Sequence, residues 1–104
     1  ISRTEIFGPV APITVFDSED EAIRMANDTE MGLVGYVYTQ DLDKAARFSA
    51  QLEAGMIGIN TGIVSNPSAP FGGIKQSGLG REGGRMGIDE FLENKYTAIP
   101  LPQA

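Results

Sequence analysis

The stretch LVGYVYTQDLDKAARFSAQLEAGMIGIN, residues 33–60, decides the fold. Its first seven residues, Leu33 to Thr39, are β-rich and bounded by polar residues, so they read as a strand. Asp41 is placed to cap a helix. Leu42, Ala45, Phe48 and Leu52 then recur at spacings of three and four, one apolar helix face. Gly55 suits a left-handed residue just past the helix. Met56 to Asn60 is a short, nearly continuous apolar run, the pattern of a strand covered on both faces. Strand, helix, strand in this order predicts a parallel pair with a right-handed crossover.

The pattern extends upstream. Val10 to Phe16 (VAPITVF) reads as a first strand, with Pro12 marking an edge or a strand start. Ser18-Glu19-Asp20-Glu21 fits a capping box, and the acidic first turn suits the positive end of the helix dipole. Ala22, Ile23, Met25 and Ala26 supply the apolar side, and Asn27-Asp28 close the helix. The whole is expected to be α/β: a βαβαβ parallel sheet with flanking helices. Downstream, residues 61–84 are loop-like, with six glycines between 72 and 84. Met86 to Asn94 can form a short helix with Ile88, Phe91 and Leu92 apolar. The tail from Lys95 to Ala104 carries Tyr96, Ile99 and Leu101 beside Pro100 and Pro102, as an edge strand would.

Composition narrows the chemistry. The chain of 104 residues has 8 Lys+Arg against 14 Asp+Glu, a net charge of −6. It contains no Cys, His or Trp. Within these residues there is therefore no disulfide, no thiolate nucleophile and no imidazole base. The acidic balance disfavours nucleic acid as a partner. No apolar run reaches the roughly 20 residues of a membrane span, and no leader pattern opens the chain. A cytoplasmic protein is expected. The first residue is Ile1, so the chain is also expected to be part of something larger.

By the strand-end rule, the loop 61–80 lies at the carboxyl edge of the sheet, where open α/β sheets bind ligands. It carries Ser65, Asn66, Phe71, Lys75 and Ser77, and loops of this length usually serve a function. Gly78-Leu79-Gly80-Arg81-Glu82-Gly83 matches G-x-G-x-x-G, but no strand leads into it and the chain is nearly over twenty residues on. Tight-turn geometry is the better reading than a pyrophosphate cradle. Arg81, Glu82 and Arg85 are expected to fix the loop by charge pairs. Lys75 could attract a carboxylate, but an exposed lysine is expected to be solvated. The acidic residues 17–21 read as helix-start charge, not as a metal site. Glu5, beside Phe7, Gly8 and Pro9, is either a solvated carboxylate or an acceptor for ribose hydroxyls. Ser65 and Ser77 have no base within these residues, so the chain reads as a binding wall.

Glu5-Ile6-Phe7-Gly8-Pro9 resembles the E-x-F-G-P motif of the aldehyde dehydrogenase superfamily. Asn60-Thr61-Gly62, followed by Pro70-Phe71-Gly72-Gly73-Ile74-Lys75-Gln76-Ser77-Gly78-Leu79-Gly80-Arg81-Glu82, resembles its P-F-G-G-x-K-x-S-G-x-G-R-E signature. The segments Thr39-Gln40-Asp41 and Asn94-Lys95-Tyr96 fit as well. Residues 62–66 and 69–71 are most similar to the bacterial succinate-semialdehyde branch.

The resemblance implies roles. Glu5 would bond the nicotinamide-side ribose of NADP or NAD, and Phe7 would pack beside the nicotinamide. Phe71 would wall the aldehyde tunnel, and Ser65 would bond the distal carboxylate of the substrate. Residues 1–94 would be the C-terminal part of the catalytic domain. Residues 95–104 would be an oligomerisation strand added to a neighbouring subunit's sheet, making a homo-oligomer. The family's nucleophilic cysteine, glutamate base, oxyanion asparagine and Rossmann domain would precede Ile1. The chain by itself is therefore expected to be inactive. The alternative is a stand-alone interaction or nucleotide-binding domain that keeps the fold without the catalysis. Glu5 precedes the first strand and the loop 61–80 follows the last, so one shared site requires the lead-in 1–9 to cross the domain.

Overall fold

The computed structural model describes residues 3–101. Helix α1, Glu19–Asn27, starts where the Ser18 hydroxyl accepts from the Glu21 N–H. The Glu21 carboxylate reaches back to the Asp17 N–H at 2.9 Å, one residue before the cap. Both bonds satisfy donors that a helix start leaves open. Helix α2, Leu42–Gln51, begins on Asp41, whose carboxylate accepts from the Asp43 and Lys44 N–H groups.

Two small sheets form. Strands β1 (Met31–Gly32) and β4 (Ile74–Lys75) pair antiparallel. Strands β2 (Val34–Val37) and β3 (Met56–Ile59) pair parallel in the register Val34 to Met56 through Val37 to Ile59. The β2–α2–β3 crossover is thus as expected, while the βαβαβ sheet is not formed. Val10–Phe16, expected as the first strand, pairs with nothing among the described residues. Its apolar side chains are open, with Ile13 90% exposed. A strand needs a neighbour for its N–H and C=O groups, and the described chain supplies none here.

Met86–Phe91 is a 3₁₀ helix, shorter and tighter than the helix expected to Asn94. Its Ile88 and Phe91, and Leu92 just beyond, are exposed. Residues 95–101 form no strand within the chain, so the expected edge strand has no partner here. Pro102 to Ala104 lie outside the described residues.

The buried apolar side chains are Ile23 on α1 and Met56 on β3. The surface is 8872 Å², against about 5,700 Å² for a compact chain of this mass. The radius of gyration is 19.8 Å, where about 13 Å is usual for this length. The lead-in 3–16 and the segment after Phe91, neither in a sheet and both rich in exposed apolar side chains, account for much of the excess.

Candidate functional site

The loop after β3 does not stay at the carboxyl edge. It leaves β3 at Asn60 and ends at β4, which pairs with β1 just ahead of β2. It therefore runs back across the sheet to the amino end. Several contacts fix this path. The Asn60 N–H donates to the Val37 carbonyl at 2.8 Å. The Asn60 amide accepts from the Thr39 N–H at 2.9 Å and donates to the Thr39 carbonyl at 2.7 Å. Val64 packs where a Cβ on Gly58 would stand. Asn66 closes a turn by accepting from the N–H of Ser68 and of Ala69. Phe71 and Glu82 exchange two backbone bonds, at 2.7 and 2.9 Å.

Gly55, expected to be left-handed from its place after α2, is not. Its role is close approach: a Cβ there would lie 2.0 Å from the Gly72 carbonyl oxygen. The glycine loop thus lies directly on the turn between α2 and β3. The left-handed glycines are Gly80, Gly83 and Gly84, with φ of 76°, 73° and 59°. A Cβ on Gly80 would also sit 2.7 Å from the Glu90 carboxylate. These glycines shape turns, in keeping with the turn reading of the G-x-G-x-x-G match.

Two cations act differently from expectation. Lys75 is not solvated: its side chain is 24% exposed and contacts Glu53 at 2.5 Å. Its Nζ also donates to the carbonyls of Asn27 and Thr29, at 3.0 and 3.2 Å. A lysine suits the C-terminal end of α1, where helix carbonyls are unpaired. Arg81 does not form the expected charge pair. Its Nη1 donates to the carbonyls of Gly73 and Gly80, at 2.8 and 2.7 Å. Glu82 contributes its backbone, and neither Glu82 nor Arg85 is in an ion pair among the described residues. The acidic start of α1 is paired across to α2. Lys44 meets Glu19 at 2.9 Å, and Arg47 holds both Glu19 and Asp20. The bond from Lys44 holds the Glu19 carboxyl below the usual glutamate value, and Glu19 in turn raises Lys44.

Two open hollows run beside β2. One, of about 620 Å³, lies among Arg3, Thr4, Glu5, Met31, Leu33 to Tyr36 and Ser77. The other, of about 650 Å³, lies among Pro12, Thr14, Phe16, Met25, Phe48 and Tyr36 to Thr39. Both are lined by lead-in residues together with residues of β2 and α1. Arg3 ties this lead-in to Asp28 at 2.6 Å, so the lead-in does reach the end of α1.

Of the four residues expected at a site, Glu5 lines the first hollow, and its carboxylate accepts no hydrogen bond among the described residues. Phe7 is 92% exposed. Ser65 is exposed on the loop, and Phe71 is half-buried at the bridge to Glu82. Neither hollow is lined by Phe7, Ser65 or Phe71. What sequence reading missed is the roles of Asn60, Asn27 and Lys75, each bonding backbone groups distant in sequence. Asn27 accepts from the Glu53 N–H and donates to the Gln51 carbonyl, joining the ends of both helices. An asparagine directly after an apolar run, as at Asn60, was the one available signal, because asparagine tolerates the left-handed region.

Comparison with known proteins accounts for these motifs together. The sequence profile of the aldehyde dehydrogenase family matches residues 1–97. A succinate semialdehyde dehydrogenase of Acinetobacter baylyi is 61% identical over 97 residues, which are 93% of this chain and 20% of that protein. A glutarate-semialdehyde dehydrogenase of Pseudomonas aeruginosa is 56% identical over 99 residues, 95% of this chain and 20% of that protein. The crystal structure of an NADP-dependent enzyme of E. coli superposes with a TM-score of 0.89 at 55% identity, covering 96% of this chain and 21% of the other. The chain thus spans about a fifth of the length of the relatives it matches. On its motifs, its fold and these likenesses, the chain belongs to the aldehyde dehydrogenase family.

Proposed function

We propose that this chain is the C-terminal segment of the catalytic domain of an NAD(P)-dependent aldehyde dehydrogenase that oxidises succinate semialdehyde to succinate. The observation that carries the reading is the 61% identity to a succinate semialdehyde dehydrogenase over nearly the whole chain. The relative named for glutarate semialdehyde points to the same substrate class, an aldehyde with a carboxylate at its far end.

Each site residue offers suitable chemistry. Glu5 presents free carboxylate lone pairs to ribose hydroxyls, and Phe7 presents a bare ring to a nicotinamide. A nicotinamide cofactor bound there would supply the hydride acceptor. Ser65 can donate its hydroxyl hydrogen to the distal carboxylate, and Phe71 walls the aldehyde path. The nucleophile and oxyanion donors of acyl oxidation belong to the rest of the polypeptide, since this chain contains no Cys. The chain alone is accordingly inactive. The exposed tail, with Tyr96, Ile99 and Leu101 open, adds to the sheet of a neighbouring subunit.

The test is Ser65→Ala in the full-length enzyme. KM for succinate semialdehyde should rise about tenfold, the worth of one bond to a charged group. KM for butanal, which has no carboxylate, should not move. Equal changes for both aldehydes would remove Ser65 from the carboxylate site. The isolated 104-residue chain should give no aldehyde-dependent NADPH or NADH in the same assay.

A further inference from the structure

Asn60 ends β3 in the left-handed region, with φ of 52°. There its side chain closes a two-bond ring on the backbone of Thr39, at 2.9 and 2.7 Å. The ring continues the β2–β3 ladder by one step, with a side-chain amide standing in for a peptide. Only a short amide has both the donor and the acceptor for this. From this point the chain enters the span 61–65, which ends in Ser65.

The span has little else to hold it. Thr61 makes a local turn with Ile63, and Val64 rests on Gly58. The next firm anchors, the Asn66 turn and the bond from the Gly84 N–H to the Pro67 carbonyl, come after Ser65. The near end of the Ser65 segment is therefore aimed by Asn60. Thr39 is itself fixed, because its hydroxyl accepts from the N–H of Asp41, the cap of α2.

We infer that Asn60 is a positioning residue that sets aldehyde selectivity by locking the loop that carries Ser65 to the end of β2. This rests on the succinate-semialdehyde reading above. It acts through its clamp on Thr39 and not merely through its backbone angle. Two substitutions separate these. Asn60→Gly adopts φ of 52° without strain but has no clamp. Asn60→Asp keeps the acceptor for the Thr39 N–H but sets a carboxylate oxygen against the Thr39 carbonyl, where the amide nitrogen donates at 2.7 Å.

The experiment measures kcat and KM of the full-length enzyme and both variants with succinate semialdehyde and with butanal, alongside thermal unfolding. In Asn60→Gly, KM for succinate semialdehyde should rise about tenfold, with kcat within about twofold and KM for butanal unchanged. Asn60→Asp, with its carboxylate against the Thr39 carbonyl, should lose selectivity at least as far as Asn60→Gly. A purely structural role would lower the unfolding temperature and change both substrates alike; that result overturns the inference, as does unmodified selectivity in Asn60→Gly. If the unmodified enzyme itself shows no preference for succinate semialdehyde over butanal, the functional reading fails, and this inference with it.

Discussion

The β2–α2–β3 unit and the lead-in 3–16 have similar apolar content but opposite bonding. In the first, backbone groups find partners close by: the ladder of β2 and β3, the Asp41 cap and the Asn60 clamp. In the second, residues 11–16 make no backbone bond among the described residues, although their sequence favours a strand as strongly. Strand propensity alone therefore does not make a strand; a neighbour does. Residues of the lead-in and of β2 line the same two hollows. A strand seated there would give both a partner.

Hydrogen exchange should show this contrast as the largest effect. In the isolated chain, amides of Ile13 to Phe16 should exchange near unfolded rates, while those of β3 are slowed. In the full-length enzyme the lead-in amides should slow about a thousandfold, because they then open only with the sheet. Fast exchange there in the full-length enzyme would break the idea of a shared neighbour. Next in size is Gly55→Ala. Its methyl would stand 2.0 Å from the Gly72 carbonyl oxygen, backbone against backbone. The glycine loop must then lift off the α2–β3 turn, at a cost of about 4 kcal/mol. Thermal unfolding of the full-length enzyme measures it, and a loss below about 1 kcal/mol would show that the loop is not seated there.

What could be read from the sequence was local. Both helix starts follow from residues within four positions of each other: Ser18 with Glu21, and Asp41 with Lys44. The crossover follows from the apolar spacing between 33 and 60. What could not be read depends on partners far along the chain. Gly55 looks like a helix terminator until Gly72 is placed upon it. Lys75 looks solvated until Asn27, Thr29 and Glu53 surround it. The strand expected at Val10–Phe16 is not formed: composition favours it, but no described segment pairs with it. For the proposed site, the resemblance pointed to Glu5, Phe7, Ser65 and Phe71, but the clamp between Asn60 and Thr39 could not be seen before the two were brought together.

Lys75 tests how far the loop depends on such distant ties. Lys75→Met keeps the length of the side chain and removes its donors to Asn27, Thr29 and Glu53. The carbonyl of the last residue of α1 and that of Thr29 just beyond it lose a charged partner, and about 2 kcal/mol of stability should go with them. Because β4 pairs with β1 beside it, exchange at Met31 and Gly32 should quicken in the same variant. An unchanged unfolding temperature would mean that the β1–β4 pair is held by its backbone bonds alone.

The smallest effect is the pairing of α1 with α2. Glu19 has a lowered carboxyl pKa, chiefly from the hydrogen bond of Lys44, and Lys44 is raised by the same bond. The signs follow from which state binds the proton more tightly. For Glu19, the unfolded chain takes up a proton more readily, so its contribution is complete above the ordinary glutamate value and is lost as pH falls through the lower folded value. For Lys44, the folded chain holds the proton more tightly. Its contribution is complete below the ordinary lysine value and is lost as pH rises through the higher folded one. Both side chains are partly open to water, so the pair is screened and its effect is small. Glu19→Gln should flatten the acid side of the profile of unfolding temperature against pH, and Lys44→Met the alkaline side. The acid-side loss in the unmodified protein should also shrink in high salt. A profile that Glu19→Gln leaves unchanged would mean that Arg47, which also holds Asp20, carries the contact between the helices without Glu19.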